Sequence, residues 1–269
     1  MDNEKYMELI KINPYVLEHI ENPTEEMKLL AVRQNGLALQ FIADPTREMQ
    51  ELALDNTAKA IQFIHEPPRE LLMKAVRKGW NNLEYIQKPS EELIQLAIEQ
   101  SGWAIQYAEN PREELQLQAI RKNYDAIKYI PNPSATVQEA AVRINYEALR
   151  YIKKPTAQAE AIAIKQDEQA IRFIEQIDKK KFLDFLKINI LVIKYIPREI
   201  AITKDELEQV LKEALAQEDV DDAYVRDYIN CRDIDRAMEM TPGKKLMLVY
   251  EFGSRQAKKI TVDEKLKFR

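Results

Sequence analysis

Apolar and polar positions along residues 1–198 recur with a period of 22. Prolines mark the period at Pro23, Pro45, Pro67, Pro89, Pro111, Pro133 and Pro155. With proline as position 1, position 5 is Met27, Met49, Leu71, Leu93, Leu115 and Val137. Position 9 is alanine from Ala31 to Ala163, and position 10 is Val, Leu or Ile. Position 16 is alanine with Asn82 the exception, and position 17 is Leu or Ile. Position 19 is aromatic (Phe41, Phe63, Tyr85, Tyr107, Tyr129, Tyr151, Phe173), and position 20 is Ile apart from Ala108. Positions 5, 9 and 10 line one face of a short helix, and positions 16, 17 and 20 line a second. Small alanines at 9 and 16 let the two axes approach closely. A fixed period in this range is the signature of a repeat array.

The punctuation agrees. Asn35-Gly36, Gly79, Ser101-Gly102, Asn123 and Asn145 fall between the two apolar sets, where a left-handed residue is expected to end the first helix. Asp44, Asn110 and Asn132 precede the proline as expected N-caps, with proline at the first helical position. Glu25-Glu26, Glu91-Glu92 and Glu113-Glu114 then place carboxylates in the first turn, where the helix dipole favours them. Each unit reads as two helices of roughly 8–10 residues joined by a tight turn. One such hairpin cannot cover its own apolar face, so copies must stack.

The frame extends to residues 1–22 through Leu9, Ile10, Asn13, Leu17 and Ile20, with His19 in the aromatic slot. It also fits 177–198 through Leu186, Asn189, Ile193, Tyr195 and Ile196. The expected fold is therefore all-α: an α-solenoid of about nine 22-residue helical hairpins over 1–198. The frame is lost after Arg198, and 199–269 reads as a C-terminal helical cap or small accessory domain. Thr203-Lys204-Asp205-Glu206 is a capping box that opens a helix to about Ala216. A turn at Glu218–Asp222 precedes helices near Ala223–Cys231 and Ile234–Met240, and Thr241-Pro242-Gly243 breaks the chain. Leu246–Phe252 is readable as a strand or a buried helix. Taken as a strand, it forms a small terminal β-hairpin with Lys258–Val262 and Lys265–Phe268.

The motif Ala-Val-Arg-x-Asn-x-x-Ala-Leu-x-Phe/Tyr-Ile, at 31–42 and 141–152, resembles a family of short two-helix repeats classified as a domain of unknown function. The architecture is similar to the HEAT-like solenoid class. The resemblance covers 1–198 and implies a fold, with no activity, cofactor or catalytic residue.

Composition narrows the function classes. One cysteine, Cys231, allows no internal disulfide and fits a reducing, cytoplasmic setting. The charged N-terminus lacks the apolar run of a secretory signal, and no segment has the length of a membrane span. No phosphate loop, dinucleotide fingerprint or nucleophile elbow is present. His19 and His65 with one cysteine make no zinc site. Asp219, Asp221 and Asp222 lack the spacing and glycine of a calcium loop. The expectation is a non-enzymatic chain with no cofactor.

Two patterns point to a contact surface instead. Residues 1–110 carry 11 Lys+Arg and 18 Asp+Glu, whereas 111–198 carry 16 and 11. The swap is sharpest at position 18, which changes from Glu18, Gln40, Gln62, Glu84 and Gln106 to Lys128, Arg150, Arg172 and Lys194. Position 11 adds Arg121, Arg143, Lys165 and Lys187. Beside this basic column, Trp80, Trp103, Tyr124 and Tyr146 occupy positions 14 and 15 of their units, either packed on the next unit or exposed as a recognition stripe. Trp, Tyr and Arg dominate binding hot spots. The expected function is a protein-binding scaffold whose partner is an acidic segment. The alternative is nucleic acid held at its phosphates by the basic residues of 111–198, with aromatic side chains stacking on bases.

Overall fold

The computed structural model describes residues 3–266. The chain forms two compact units, Met1–Pro131 and Asn132–Arg269, and the described residues are all-helical with no strand. The first unit contains α-helices Asn3–Ile12, Glu25–Gln34, Arg47–Asn56, Arg69–Lys78, Glu91–Ile98 and Glu113–Lys122. Each is followed by a six-residue 3-10 helix, from Pro14–His19 to Tyr124–Tyr129. The second unit contains α-helices Ala135–Ile144, Ala157–Gln166 and Lys179–Ile188, followed by 3-10 helices Tyr146–Tyr151, Glu168–Phe173 and Ile190–Tyr195. Five α-helices complete it: Lys204–Leu215, Asp222–Asn230, Arg232–Met238, Pro242–Phe252 and Arg255–Leu266. Within each unit successive α-helices pack side by side, and so do successive 3-10 helices.

The apolar columns form the core as expected. In the first unit Met27, Met49, Leu71, Leu93 and Leu115 are buried, as are the alanines at positions 9 and 16. Asn82, the exception at position 16, is also buried, and its Nδ2 donates to the Ala75 carbonyl at 3.0 Å.

Three local expectations are corrected. The second element of each pair is a 3-10 helix, because only six residues fit between the cap at position 13 and the loop. An apolar i, i+3, i+4 pattern that short does not separate the two helix types. The N-cap is the residue after proline, in place of Asp44, Asn110 or Asn132. Thr24, Thr46, Ser90, Ser134 and Thr156 accept from the backbone N–H three residues on. The hydroxyl reaches that N–H from an extended backbone, which the residue after proline adopts. Finally, the helix ends are not left-handed. Asn35, Asn123 and Asn145 are extended, with φ of −151°, −144° and −155°. Asn13, Asn35, Asn145 and Asn189 use Oδ1 to accept from the second amide of the 3-10 helix, and Ser101 and Asp167 do the same with their own side-chain oxygens. The left-handed residues stand at position 22 instead: Glu66, Lys88, Asn132 and Gln176.

At Asn56, Lys78, Gln100 and Gln166, position 12 ties a repeat to the one before it. Asn56 Nδ2 donates to the Arg33 carbonyl at 3.0 Å, and its Oδ1 accepts from Gly36 N at 2.9 Å. Gln100 repeats this, with Nε2 on the Val76 carbonyl at 2.7 Å and Oε1 accepting from Trp80 N at 2.9 Å. One carboxamide thus bridges the break between the α-helix and the 3-10 helix of the preceding repeat. Lys78 on the Asp55 carbonyl (2.5 Å) and Gln166 on the Arg143 carbonyl (2.7 Å) provide the donor half. From position 13, Asn189 caps the Ile164 carbonyl at 2.9 Å. These acceptors belong to the last turn of an α-helix, which has no partners of its own.

The C-terminal helices follow the capping box. Thr203 and Glu206 cap each other reciprocally, and Lys179 pairs with Glu206 at 2.6 Å. The hairpin expected over Leu246–Phe252 and Lys258–Val262 is replaced by two α-helices; Lys267 and Phe268 lie outside the described residues. Thr241 caps the first of these helices by accepting from Lys244 N at 3.3 Å, and Pro242 occupies its first turn. Leu248, Val249, Ala257 and Ile260 are buried at helical spacing. Lys245, 2% exposed, donates to the carbonyls of Tyr228 (2.9 Å) and Cys231 (2.7 Å) and pairs with Asp235 at 2.6 Å. One ammonium group therefore joins three helices.

Two predictions follow from this geometry. A Cβ at Gly36 would lie 2.1 Å from the Ala53 carbonyl oxygen, whereas one at Gly243 makes only an ordinary contact with Thr241 Oγ1 at 3.9 Å. Gly36→Ala is expected to lose about 3 kcal/mol in denaturant unfolding, and Gly243→Ala to be neutral or stabilising by about 0.5 kcal/mol. Separately, the hydrogen bond from Lys179 and then that from the Thr203 backbone hold Glu206 at about 2, against an ordinary 4.5. A depressed folded value means its stabilisation is complete above 4.5 and is lost as pH falls toward 2. Carboxyl NMR titration should show that low midpoint in the native protein and a higher one in Lys179→Ala.

Candidate functional site

The position-18 column divides between the units: Lys128 lies in the first, and Arg150, Arg172 and Lys194 in the second. All four are exposed, because they follow buried position 17 on a 3-10 helix. Their surroundings differ, and the difference decides what each can bind.

In the first unit Trp80 and Trp103 meet edge to face, with ring centroids 6.4 Å apart. Trp103 Nε1 donates to Asp125 Oδ1 at 2.8 Å, and Lys128 Nζ donates to Asp125 Oδ2 at 2.8 Å. Lys128 also lies over the rings of Trp103 (5.1 Å) and Tyr129 (5.0 Å). Burial works to raise the Asp125 carboxyl. The hydrogen bonds from Lys128 and Trp103 outweigh it and hold the group below its usual range. Lys128 is thus neutralised. Trp103, 37% exposed, is both packed and accessible, while Trp80 and Tyr124 are half-buried. Arg121 is exposed. At the opposite end of the 3-10 helices, a cleft of about 890 Å³ lies beside Phe63, His65 and Tyr85.

In the second unit the column becomes an alternation of guanidinium and ring. Arg150 lies over Tyr151 at 5.8 Å and over Phe173 of the next repeat at 5.5 Å. Arg172 lies over Tyr195 at 5.1 Å. Tyr146 stacks on Phe173, with centroids 6.3 Å apart and planes inclined by 27°. Burial is the main cause that pushes the Tyr146 hydroxyl upward. Each cation–ring contact contributes about 0.5–1 kcal/mol at an exposed site. Its greater effect is to restrain a guanidinium that stays exposed. Among the described residues, neither Arg150 nor Arg172 has a carboxylate partner.

Four of the remaining five cations are engaged, Arg121 being the fifth. Lys194 pairs with Glu168 at 2.9 Å, and Arg143 with Glu139 at 2.8 Å. Lys165 pairs with Asp221 at 3.1 Å and Lys187 with Glu213 at 2.6 Å. Those two position-11 lysines hold C-terminal helices within their own unit. The structure therefore brings Arg150, Arg172 and Tyr146 together and sets the other basic candidates apart. Asp125, Phe173, Tyr151 and Tyr195 complete the two clusters and were not singled out from sequence. Their signal was present as the dipeptides Lys128-Tyr129, Arg150-Tyr151, Arg172-Phe173 and Lys194-Tyr195.

Among the described residues no group of three or more His, Cys, Asp or Glu is placed to hold a metal ion. Cys231 is buried. Asp221 caps a helix by accepting from Ala223 N at 2.9 Å. Among the described residues no helix is long and apolar enough to cross a membrane.

The Asp125 cluster has a pH signature. Its folded carboxyl titrates below the ordinary 3.8, so its contribution is present above that pH and lost as pH falls through the folded value. In a Trp80→Phe background, Trp103 emission should shift in that acid range, and Asp125→Asn should abolish the shift.

No family model, curated protein or solved structure matches this chain.

Proposed function

We propose that this chain is a non-enzymatic protein-binding scaffold of the HEAT-like α-solenoid class. In this reading residues 1–198 form nine 22-residue repeats, and the helices of 199–269 cap them. Its contact face is the exposed 3-10 layer of the second unit, and its partner is an acidic segment of another protein. The alternation of Arg150, Phe173, Arg172 and Tyr195 carries this reading. Aromatic rings hold two guanidinium groups in place, and no internal carboxylate consumes them. A guanidinium presents parallel N–H donors that match a carboxylate bidentately. Its planar face, already on a ring, gives up little further freedom on binding. Tyr146 and Tyr151 supply amphipathic area beside the donors.

Fluorescence anisotropy with a labelled random Glu/Tyr copolymer tests the proposal, with single-stranded oligo-dT as the comparison probe. At about 50 mM salt the copolymer should bind, and Arg150→Ala with Arg172→Ala should weaken it by about tenfold or more. Arg121→Ala and Arg143→Ala should change it by less than about twofold. Absence of copolymer binding would overturn the proposal. Tighter binding of oligo-dT with a steep salt dependence would reassign the same face to nucleic acid.

A further inference from the structure

The first repeat and the last two described helices carry complementary surfaces. In the first repeat, columns that are buried in the following ones are open. Leu9, Val16 and Ile20 are half-buried, whereas their counterparts Ala31, Ala38 and Ile42 are at most 5% exposed. Lys5 is exposed where Met27 is buried, and Ile12 is 82% exposed. The exposed acidic residues around this face are Glu4, Glu8, Glu18 and Glu21, against Lys5 and Lys11. Glu8 and Lys11 pair with each other at 2.6 Å, which leaves the balance acidic.

The helices Pro242–Phe252 and Arg255–Leu266 show the converse. Met247 is 54% exposed, Tyr250 73%, Val262 57% and Leu266 58%. Isolated exposed apolar residues need no explanation, but these four, with Phe252 at 41%, stand together on one pair of adjacent helices. Lys244, Arg255, Lys258, Lys259 and Lys265 are exposed around it, against Glu251 and Asp263. Lys258 Nζ sits 5.9 Å from the Tyr250 ring centroid, so the cationic rim touches the apolar set.

We propose that these two faces are the halves of a head-to-tail interface, in which the C-terminal helices of one copy cover the first repeat of another. The columns open on the first repeat are those that stacking buries in the following ones. Pairing either face with itself would bring like charges together, which disfavours a two-fold dimer. Pairing the acidic face with the basic one buries both apolar sets and neutralises both rims. Such an interface is heterologous, so it extends into open chains unless its rotation closes.

Sedimentation velocity with the full chain tests this. At about 50 mM salt the mean mass should rise with protein concentration, and at about 500 mM salt it should return to that of the 31.5 kDa monomer. Two variant sets use exposed positions only: Glu4→Lys with Glu8→Lys and Ile12→Lys, and Tyr250→Glu with Val262→Glu and Leu266→Glu. Each set alone should be monomeric with an unchanged circular-dichroism melting curve. Their equimolar mixture should form a dimer and nothing larger, because one intact face of each kind remains. A wild-type protein that stays monomeric throughout, a dimer that persists in either set alone, or a mixture that fails to pair would each overturn the proposal.

Discussion

A polar side chain supplied by the following repeat, from position 12 or 13, is the contact on which the repeat geometry depends. An α-helix that stops after ten residues leaves its last carbonyls unpaired, and a 3-10 helix that starts at once leaves its first amides unpaired. Asn56 and Gln100 supply both partners from the following repeat, through one planar group. Each bond contributes about 0.5–1.5 kcal/mol, a modest gain, but leaving the groups buried and unmade would cost more. At Gly36 and Gly102 the following helix carbonyl passes too close for any side chain, and each glycine N–H is held by the following repeat, through Asn56 and Asn123 respectively.

Surface charge is organised by the same stacking. Residues 21–26 apart become neighbours within a unit, so ion pairs form between repeats: Arg69 with Glu92, Arg112 with Glu91, Lys194 with Glu168. Exposed pairs of this kind contribute little to stability. Their consequence is subtractive, since each removes a cation from the set available to a ligand. Arg150 and Arg172 escape because their nearest neighbours are rings. Lys165, Lys187 and Lys179 are consumed differently, holding Asp221, Glu213 and Glu206 of the C-terminal helices.

The C-terminal helices are joined by a charge in an apolar setting. Lys245 is buried; its ammonium donates to the carbonyls of Tyr228, Ile229 and Cys231 and forms an ion pair with Asp235 at 2.6 Å. Removing one partner of such a group costs more than the contact gains, because the other charge stays buried. This accounts for a helix where a strand reading of Leu246–Phe252 was also available. Lys245 reaches the Asp222–Asn230 helix only if its own segment is wound into a turn that buries it beside Leu248 and Val249.

How much of this was legible depends on the range of each interaction. The apolar columns, the all-helical character and the capping box at Thr203 are consequences of local spacing, and the amino-acid sequence by itself determined them. A 22-residue period repeats its core positions whatever lies around them. The 3-10 winding, the cap after the proline, the extended Asn at position 13 and the role of position 12 required the tertiary structure. At position 12 the residues are Gln34, Asn56, Lys78, Gln100, Lys122, Ile144, Gln166 and Ile188, a mixture that shows no column to the eye. What most of them share is a long polar donor, and its acceptor is defined only once the preceding repeat is in place. The same holds for the basic column. Four cations are equivalent as letters, and only packing assigns Lys128 and Lys194 to carboxylates while leaving Arg150 and Arg172 on rings.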